Sequence, residues 1–192
     1  MDKVVNLSPL FEVRPIKAID LYKFCEILME AARWFEDHGE VLWDRQQIVP
    51  HTILAHYRID ELYLAYVDNK PIGAMIFNNH CYWPQISVQD RRDSLFIHKL
   101  AISRKASGME YSAMMLNWAC QQGFQQGYSQ LMLMCNCHQL KLRRLWQTYG
   151  FSEVEMNNDD GKMCHYYVRQ LDWGEPVVSK QLGSSSYSQV EA

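Results

Sequence analysis

The sequence predicts an α/β (α+β) fold, one mixed sheet with helices on both faces. Three observations carry that prediction. Hydrophobic periodicity gives elements in the order β-α-α-β-β-β-α-β-α-β-β, with strands dominating the middle and two helices separating the last ones. The 192 residues favour one domain, and with 48% hydrophobic against 21% charged residues they can bury a real core. After Trp173 the character changes: SKQLGSSSYSQVEA (179–192) has little apolar content and several serines. The chain therefore divides into a domain over 1–173 and a flexible tail over 174–192.

Each element has its own signal. LFEVRPI (10–16) reads as the first strand. Over 18–37, Leu21, Phe24, Cys25, Leu28, Ala32 and Phe35 fall on one helical face. Gly39 breaks that pattern, and a short second helix over 45–57 has Pro50 as a kink or boundary. ELYLAYV (61–67), the turn DNKP and IGAMIFNN (72–79) make a hairpin. HCYWPQISVQDRRD (80–93) reads as a polar loop, and SLFIHKLAI (94–102) as a strong strand. A helix over 109–126 follows, with Tyr111, Met114, Met115, Trp118 and Ala119 on its apolar face. QLMLMCN (130–136) is a strand, and QLKLRRLWQTYG (139–150) is a helix stopped by Gly150. FSEVEM (151–156) and MCHYYVRQL (163–171) close the domain as strands joined by the turn NNDDGK.

Bulk properties exclude several function classes. Nineteen basic against 22 acidic residues leave a formal charge of −3. Nucleic-acid binders usually show a basic excess, so no nucleic-acid partner is expected. The N-terminus lacks a signal-peptide core and no apolar run reaches about 18 residues, so a cytoplasmic protein with no membrane partner is expected. The six cysteines are irregularly spaced. Cys135 and Cys137 form C-x-C without a second pair to complete a zinc site, so they read as reduced thiols with no metal.

The stretch SRKASGMEYS (103–112) lies between a strand and a helix. Unpaired N–H groups and the helix dipole favour an anion at such a place. Yet this loop has a single glycine, Gly108, and an acid, Glu110, at the predicted helix start.

Three local patterns, in this order and spacing, resemble the GNAT-type N-acetyltransferases over residues 10–171. They are IHKLAI leading into SRKASGMEYSAMMLNWA, LMLMCN followed by a helix, and RRLWQTYGFSEV. The resemblance implies a mostly antiparallel sheet of about six or seven strands and acetyl-CoA as acyl donor. It implies that backbone at Leu100, Ala101 and Ile102 pairs with the pantetheine arm. Backbone N–H groups from Ser107, Gly108, Met109, Glu110, Tyr111 and Ser112 would receive the pyrophosphate, with Arg104 and Lys105 supplying charge. This chain departs from the family pattern. Ser107 stands where Arg or Gln is usual, Glu110 where a second Gly or Ala is usual, and Trp146 where a tyrosine often protonates the leaving thiolate. Trp146 has an N–H but no usable acid; it can pack against the cofactor or donate a hydrogen bond. Tyr149 and Tyr111 are the substitutes.

Acetyl transfer to an amine needs a base, a donor for the carbonyl oxygen, and close approach. His98, in the central strand, is the first candidate base, on the side that alternation assigns to Phe96 and Leu100. Asp60 and Glu61 are weaker ones, and His138 and Asn136, at and beyond the end of the strand 130–136, are further candidates to line the site. By resemblance the acceptor lies between the first helices and the late strands, near Trp34, Glu36, Asp37, Trp43, Asp44, Trp83 and Asn136. Acids beside aromatics suit a cationic amine, so a small-molecule amine, amino acid or peptide N-terminus is the expected partner. A homodimer is left open. The competing expectations are a sensor or partner-binding protein of this fold that binds CoA poorly, and an RNA-acylating enzyme using Lys141, Arg143 and Arg144.

Overall fold

A computed structural model describes residues 10–81, 83, 86–159 and 162–171. The tail at 174–192 and the tip of the last hairpin, Asp160 and Gly161, lie outside the described residues. Seven strands form one sheet: β1 (Phe11–Pro15), β2 (Leu62–Val67), β3 (Lys70–Asn78), β4 (Ser94–Ile102), β5 (Gln130–Asn136), β6 (Ser152–Asp159) and β7 (Lys162–Gln170). Their order is β1-β2-β3-β4-β5-β7-β6. Only β4 and β5 run parallel; every other pair is antiparallel. The five α-helices are α1 (Leu21–Asp37), α2 (Pro50–His56), α3 (Val88–Asp93), α4 (Tyr111–Gln125) and α5 (Leu140–Thr148).

The predicted hairpin turns at Asp68 and Asn69, whose φ values of 48° and 62° match a two-residue turn that follows strand twist. The second predicted helix divides at Pro50: a 3-10 turn spans Arg45–Ile48, and α2 begins with the proline at its first position. Residues 80–93 are not all loop. Ser87 caps α3 by accepting from the Asp90 N–H at 3.0 Å.

One face of the sheet packs under α1 and α2 through Phe24, Ile27, Leu28, Ile53, Leu64 and Ile76, each 0–1% exposed. Burying such side chains contributes roughly 1.5–3 kcal/mol apiece. The other face packs under α4 and α5 through Met75, Leu116, Leu131 and Tyr167. The buried stripe of α4 is Ala113, Met115, Leu116 and Ala119, while Met114 is exposed. That stripe is rotated from the predicted one and ends at Gly123, which lies close to Leu171: a Cβ there would lie 2.6 Å from its Cδ1. A third, smaller cluster gathers Trp83, Ile86, Phe96, Met132 and Tyr166.

The parallel pair positions the site. β4 and β5 pair only from Ser94 to Ile97 and from Gln130 to Leu133. At that end they are pinned by the fully buried Ser94, whose Oγ accepts from Gln130 Nε2 at 2.9 Å. Beyond Ile97 the strands part, leaving the edge of β4 without a strand partner.

Candidate active site

The parting begins at a bulge. On β3, Ile76 faces Lys99 and the next residue, Phe77, faces Ile97, so His98 is the extra residue of β4. This overturns the simple alternation. Leu100 packs with the cluster under α4 and α5, whereas His98 lies 6.3 Å from the Phe96 ring on the other face. Lys99 joins it there, with Nζ 4.9 Å above the Trp43 ring. The bulge thus turns two consecutive polar side chains towards α1.

A cleft of about 190 Å³ occupies the gap. Trp34, Trp43, His98, Lys99 and Ala101 line it on the α1 side; Leu100, Ser112, Leu142, Leu145 and Trp146 line it on the α4–α5 side. Its floor includes Ile97, Leu133 and Cys135. Gln139 closes one end: its Nε2 donates to the carbonyls of Val41 at 2.9 Å and Leu42 at 3.4 Å, strapping the loop after α1 across to α5.

His98 Nε2 lies 3.2 Å from the His80 carbonyl and 2.9 Å from Asn78 Oδ1. A carbonyl only accepts, so Nε2 carries the proton and Nδ1 keeps a lone pair. Burial pushes the His98 pKa down to about 4, so it is neutral at pH 7. Behind it, His80 Nδ1 meets Glu61 Oε1 at 3.4 Å. Burial also pushes the Lys99 ammonium down to about 8 and the Cys135 thiol up to about 12.

The loop before α4 makes a 3-10 turn at Arg104–Ala106, then carries positive φ at Gly108 (77°) and Glu110 (59°). Glu110 is the N-cap rather than a first-turn residue, and it is exposed; α4 has no side-chain cap. Arg104 stacks on Trp34 at 4.3 Å and donates to Ser107 Oγ at 3.2 Å. Ser112 Oγ and the buried Tyr149 hydroxyl are 2.7 Å apart. Lys105, Gly108 and Met109 are exposed, and Tyr111 stacks on Phe11 with ring centroids 6.0 Å apart.

The residues expected around an acceptor are distributed differently. Trp34 and Trp43 line the cleft. Asp37 is exposed and lines a neighbouring groove instead. Asp44 turns back to accept from the Gln46 N–H at 2.9 Å. Glu36 is held by Arg45, which keeps its carboxyl below the usual range. Trp83 packs edge-on against Phe96 at 5.4 Å and stands 6.1 Å from His98, one layer away. Asn136 Oδ1 accepts from the His138 N–H at 3.0 Å, closing the turn after β5. The sequence reading missed Lys99, Asn78, His80 and Gln139; the one available signal was a lysine beside His98 inside a mostly apolar strand.

Comparison with solved structures finds the same architecture. A GNAT-family acetyltransferase from Listeria monocytogenes matches at TM-score 0.67 and 21% identity, covering 85% of this chain and 100% of the other. Ard1 from Thermoplasma volcanium matches at 0.63 and 12%, covering 84% and 98%. The PaiA N-acetyltransferase of Thermoplasma acidophilum, solved in complex with coenzyme A, matches at 0.62 and 14%, covering 84% and 99%. Direct sequence search against curated proteins finds no match. The sequence profile described as Acetyltransferase (GNAT) family matches residues 21–151, a stretch running from the first residue of α1 to the residue before β6 and enclosing both the bulge and the loop before α4. With most of its length matched and its sheet parted at the same place as its cleft, this chain belongs to the GNAT acetyltransferase family.

Proposed function

We propose that the protein is an acyl-CoA-dependent N-acetyltransferase that moves an acetyl group directly from acetyl-CoA to a primary amine in a ternary complex. The observation that carries this reading is the parting of β4 from β5 beyond Ile97, at a cleft that also reaches Ser112 in the first turn of the uncapped helix α4. The free edge of β4 at Leu100–Ile102 offers backbone groups to an amide-bearing arm. The first N–H groups of α4 suit a pyrophosphate. The cleft's volume is below the ~300–1,000 Å³ usual for whole ligands. It therefore fits the acetylated end of the arm, with the nucleotide outside.

His98 would take the amine's proton as the new N–C bond forms, when that proton becomes acidic. Its Nε2–H bonds to Asn78 and His80 fix the ring while Nδ1 accepts. A backbone N–H near Leu100 would meet the carbonyl oxygen as it gains charge. Trp146 offers the departing thiolate no proton, but the Tyr149 hydroxyl, coupled to Ser112 at the cleft wall, does.

A second reading, a CoA-poor sensor of the same fold, is favoured by Glu110, an acid standing at the N-cap where the pyrophosphate would sit. Calorimetric titration with acetyl-CoA separates the two. One-site micromolar binding supports the enzyme, and amine-dependent thiol release then confirms turnover. No heat at millimolar acetyl-CoA would overturn it in favour of the sensor.

A further inference from the structure

The cleft's charge does not match a simple cationic acceptor. Among the described residues, no aspartate or glutamate lines it, while Lys99 and Arg104 do. Three nearby acids are engaged elsewhere, Glu36 with Arg45, Asp44 with the Gln46 N–H, and Glu30 with the Arg104 N–H at 3.1 Å, and Asp37 lines a neighbouring groove. Arg104 faces Ser107 and so belongs to the donor side. Lys99 is on the opposite face, beside His98 and over Trp43, and no carboxylate among the described residues forms an ion pair with it. A largely buried ammonium without an anion is costly, and a cation–π contact offsets only part of that cost.

We infer that Lys99 is the acceptor's anion-binding residue, and that the acceptor is a free amino acid or similar small amine carrying a carboxylate close to the amine. This inference rests on the acetyltransferase reading and narrows its substrate class. A plain amine would approach as a cation and be repelled by Lys99. A zwitterion brings its own counter-charge: its carboxylate pairs with Lys99 while its amine lies towards His98, between the rings of Trp34 and Trp43. A peptide N-terminus lacks a carboxylate at that distance and would leave Lys99 uncompensated.

The test follows tryptophan fluorescence while L-amino acids are titrated beside their amides, with and without CoA. Anion preference is then read whether or not CoA binds, and acetyl-CoA calorimetry separately tests the enzyme reading. At least one amino acid should bind about tenfold or more tightly than its amide, the worth of one charge-assisted contact. Lys99→Met should erase that difference and Lys99→Arg should keep it. Equal binding of acids and amides by wild type overturns the inference, as does a preference that survives Lys99→Met. In turnover, Lys99→Met should raise KM for amino acids and spare kcat. An equal loss of kcat with amino acids and amides would instead make Lys99 part of the chemical step and overturn its binding role.

Discussion

Acid should reveal how His98 is held. Its pKa is pushed down to about 4 by burial, against an ordinary 6.5. The unfolded chain therefore binds a proton between pH 6.5 and 4 that the folded protein refuses, so stability rises with pH across that window. Above pH 6.5 both states are neutral and the effect is absent; below pH 4 it is complete. At pH 4.5 the loss is roughly 2–3 kcal/mol, since each unit of difference is worth about 1.4. His98→Gln isolates this term. Its amide N–H₂ can still donate to the His80 carbonyl and Asn78 Oδ1, but it does not titrate. Urea denaturation of both proteins at intervals from pH 7 to 4.5 measures the difference. The variant should start less stable at pH 7, because the ring packs near Tyr57 at 5.2 Å and Trp83 at 6.1 Å. It should then gain on wild type by roughly 2–3 kcal/mol as the pH falls to 4.5. Parallel stability curves would refute the argument, because they would mean that His98 protonates without cost in the folded state. They would equally undermine its assignment as a neutral base fixed by its Nε2–H bonds.

Other consequences are separately measurable. Lys99→Met should raise stability at pH 7 by roughly 1–3 kcal/mol, since the buried ammonium is held to about 8. The gain should shrink as the pH rises from 8 towards 10.5, where wild type sheds the proton that the unfolded chain retains; a constant gain in thermal melts at pH 7 and 10 would contradict this. Glu110→Gly should stabilise by up to about 1 kcal/mol, as relief of positive φ outweighs glycine's extra unfolded freedom. Because Glu110 is exposed, acetyl-CoA should tighten only a few-fold by calorimetry, and tightening of a hundredfold would place its carboxylate in the phosphate site. Gly73→Ala should cost about 1–3 kcal/mol in urea denaturation. Its Cβ would stand 2.7 Å from Met115 Sδ and 2.9 Å from Ile102 Cδ1; an unchanged midpoint would show that both side chains move aside freely. Tyr149→Phe should slow turnover with little change in acetyl-CoA affinity if its hydroxyl serves the leaving thiolate through Ser112.

The repeating features were legible because burial imposes a period. The short apolar runs became strands largely buried on both faces, and the 3.6-period face of α1 is its buried face. Local signals also held: Pro50 marks a helix start and Gly150, at φ 80°, a helix stop. Helix α3 was hidden only by its polarity. Ser87 and Asp90 carry the spacing of an N-cap, but six exposed or half-buried residues show no apolar face. The start of α4 was misplaced by two residues because its left-handed N-cap is a glutamate. Nothing about that residue type announces positive φ.

What escaped the sequence is what requires two strands at once. A bulge depends on how β4 counts against β3, and no pattern within β4 alone records it. Strict alternation would place Lys99 with Ile97 and opposite His98, leaving a base on one face and a cation on the other. One extra residue cancels that alternation at a single point, so Lys99 returns to the face of His98 while Leu100 passes to the core beneath α4. The same departure from regular pairing coincides with the end of the β4–β5 ladder. An imidazole, a cation and a strand edge without a β5 partner thus share one irregularity. Two of the acids that the sequence placed near an amine, Glu36 and Asp44, fail for a complementary reason: their partners, Arg45 and the Gln46 N–H, come from a 3-10 turn whose docking the sequence does not specify. With Glu36 and Asp44 engaged, Lys99 is the charged side chain beside His98 in the cleft, and that is the basis of the proposed preference for an acceptor that carries an anion.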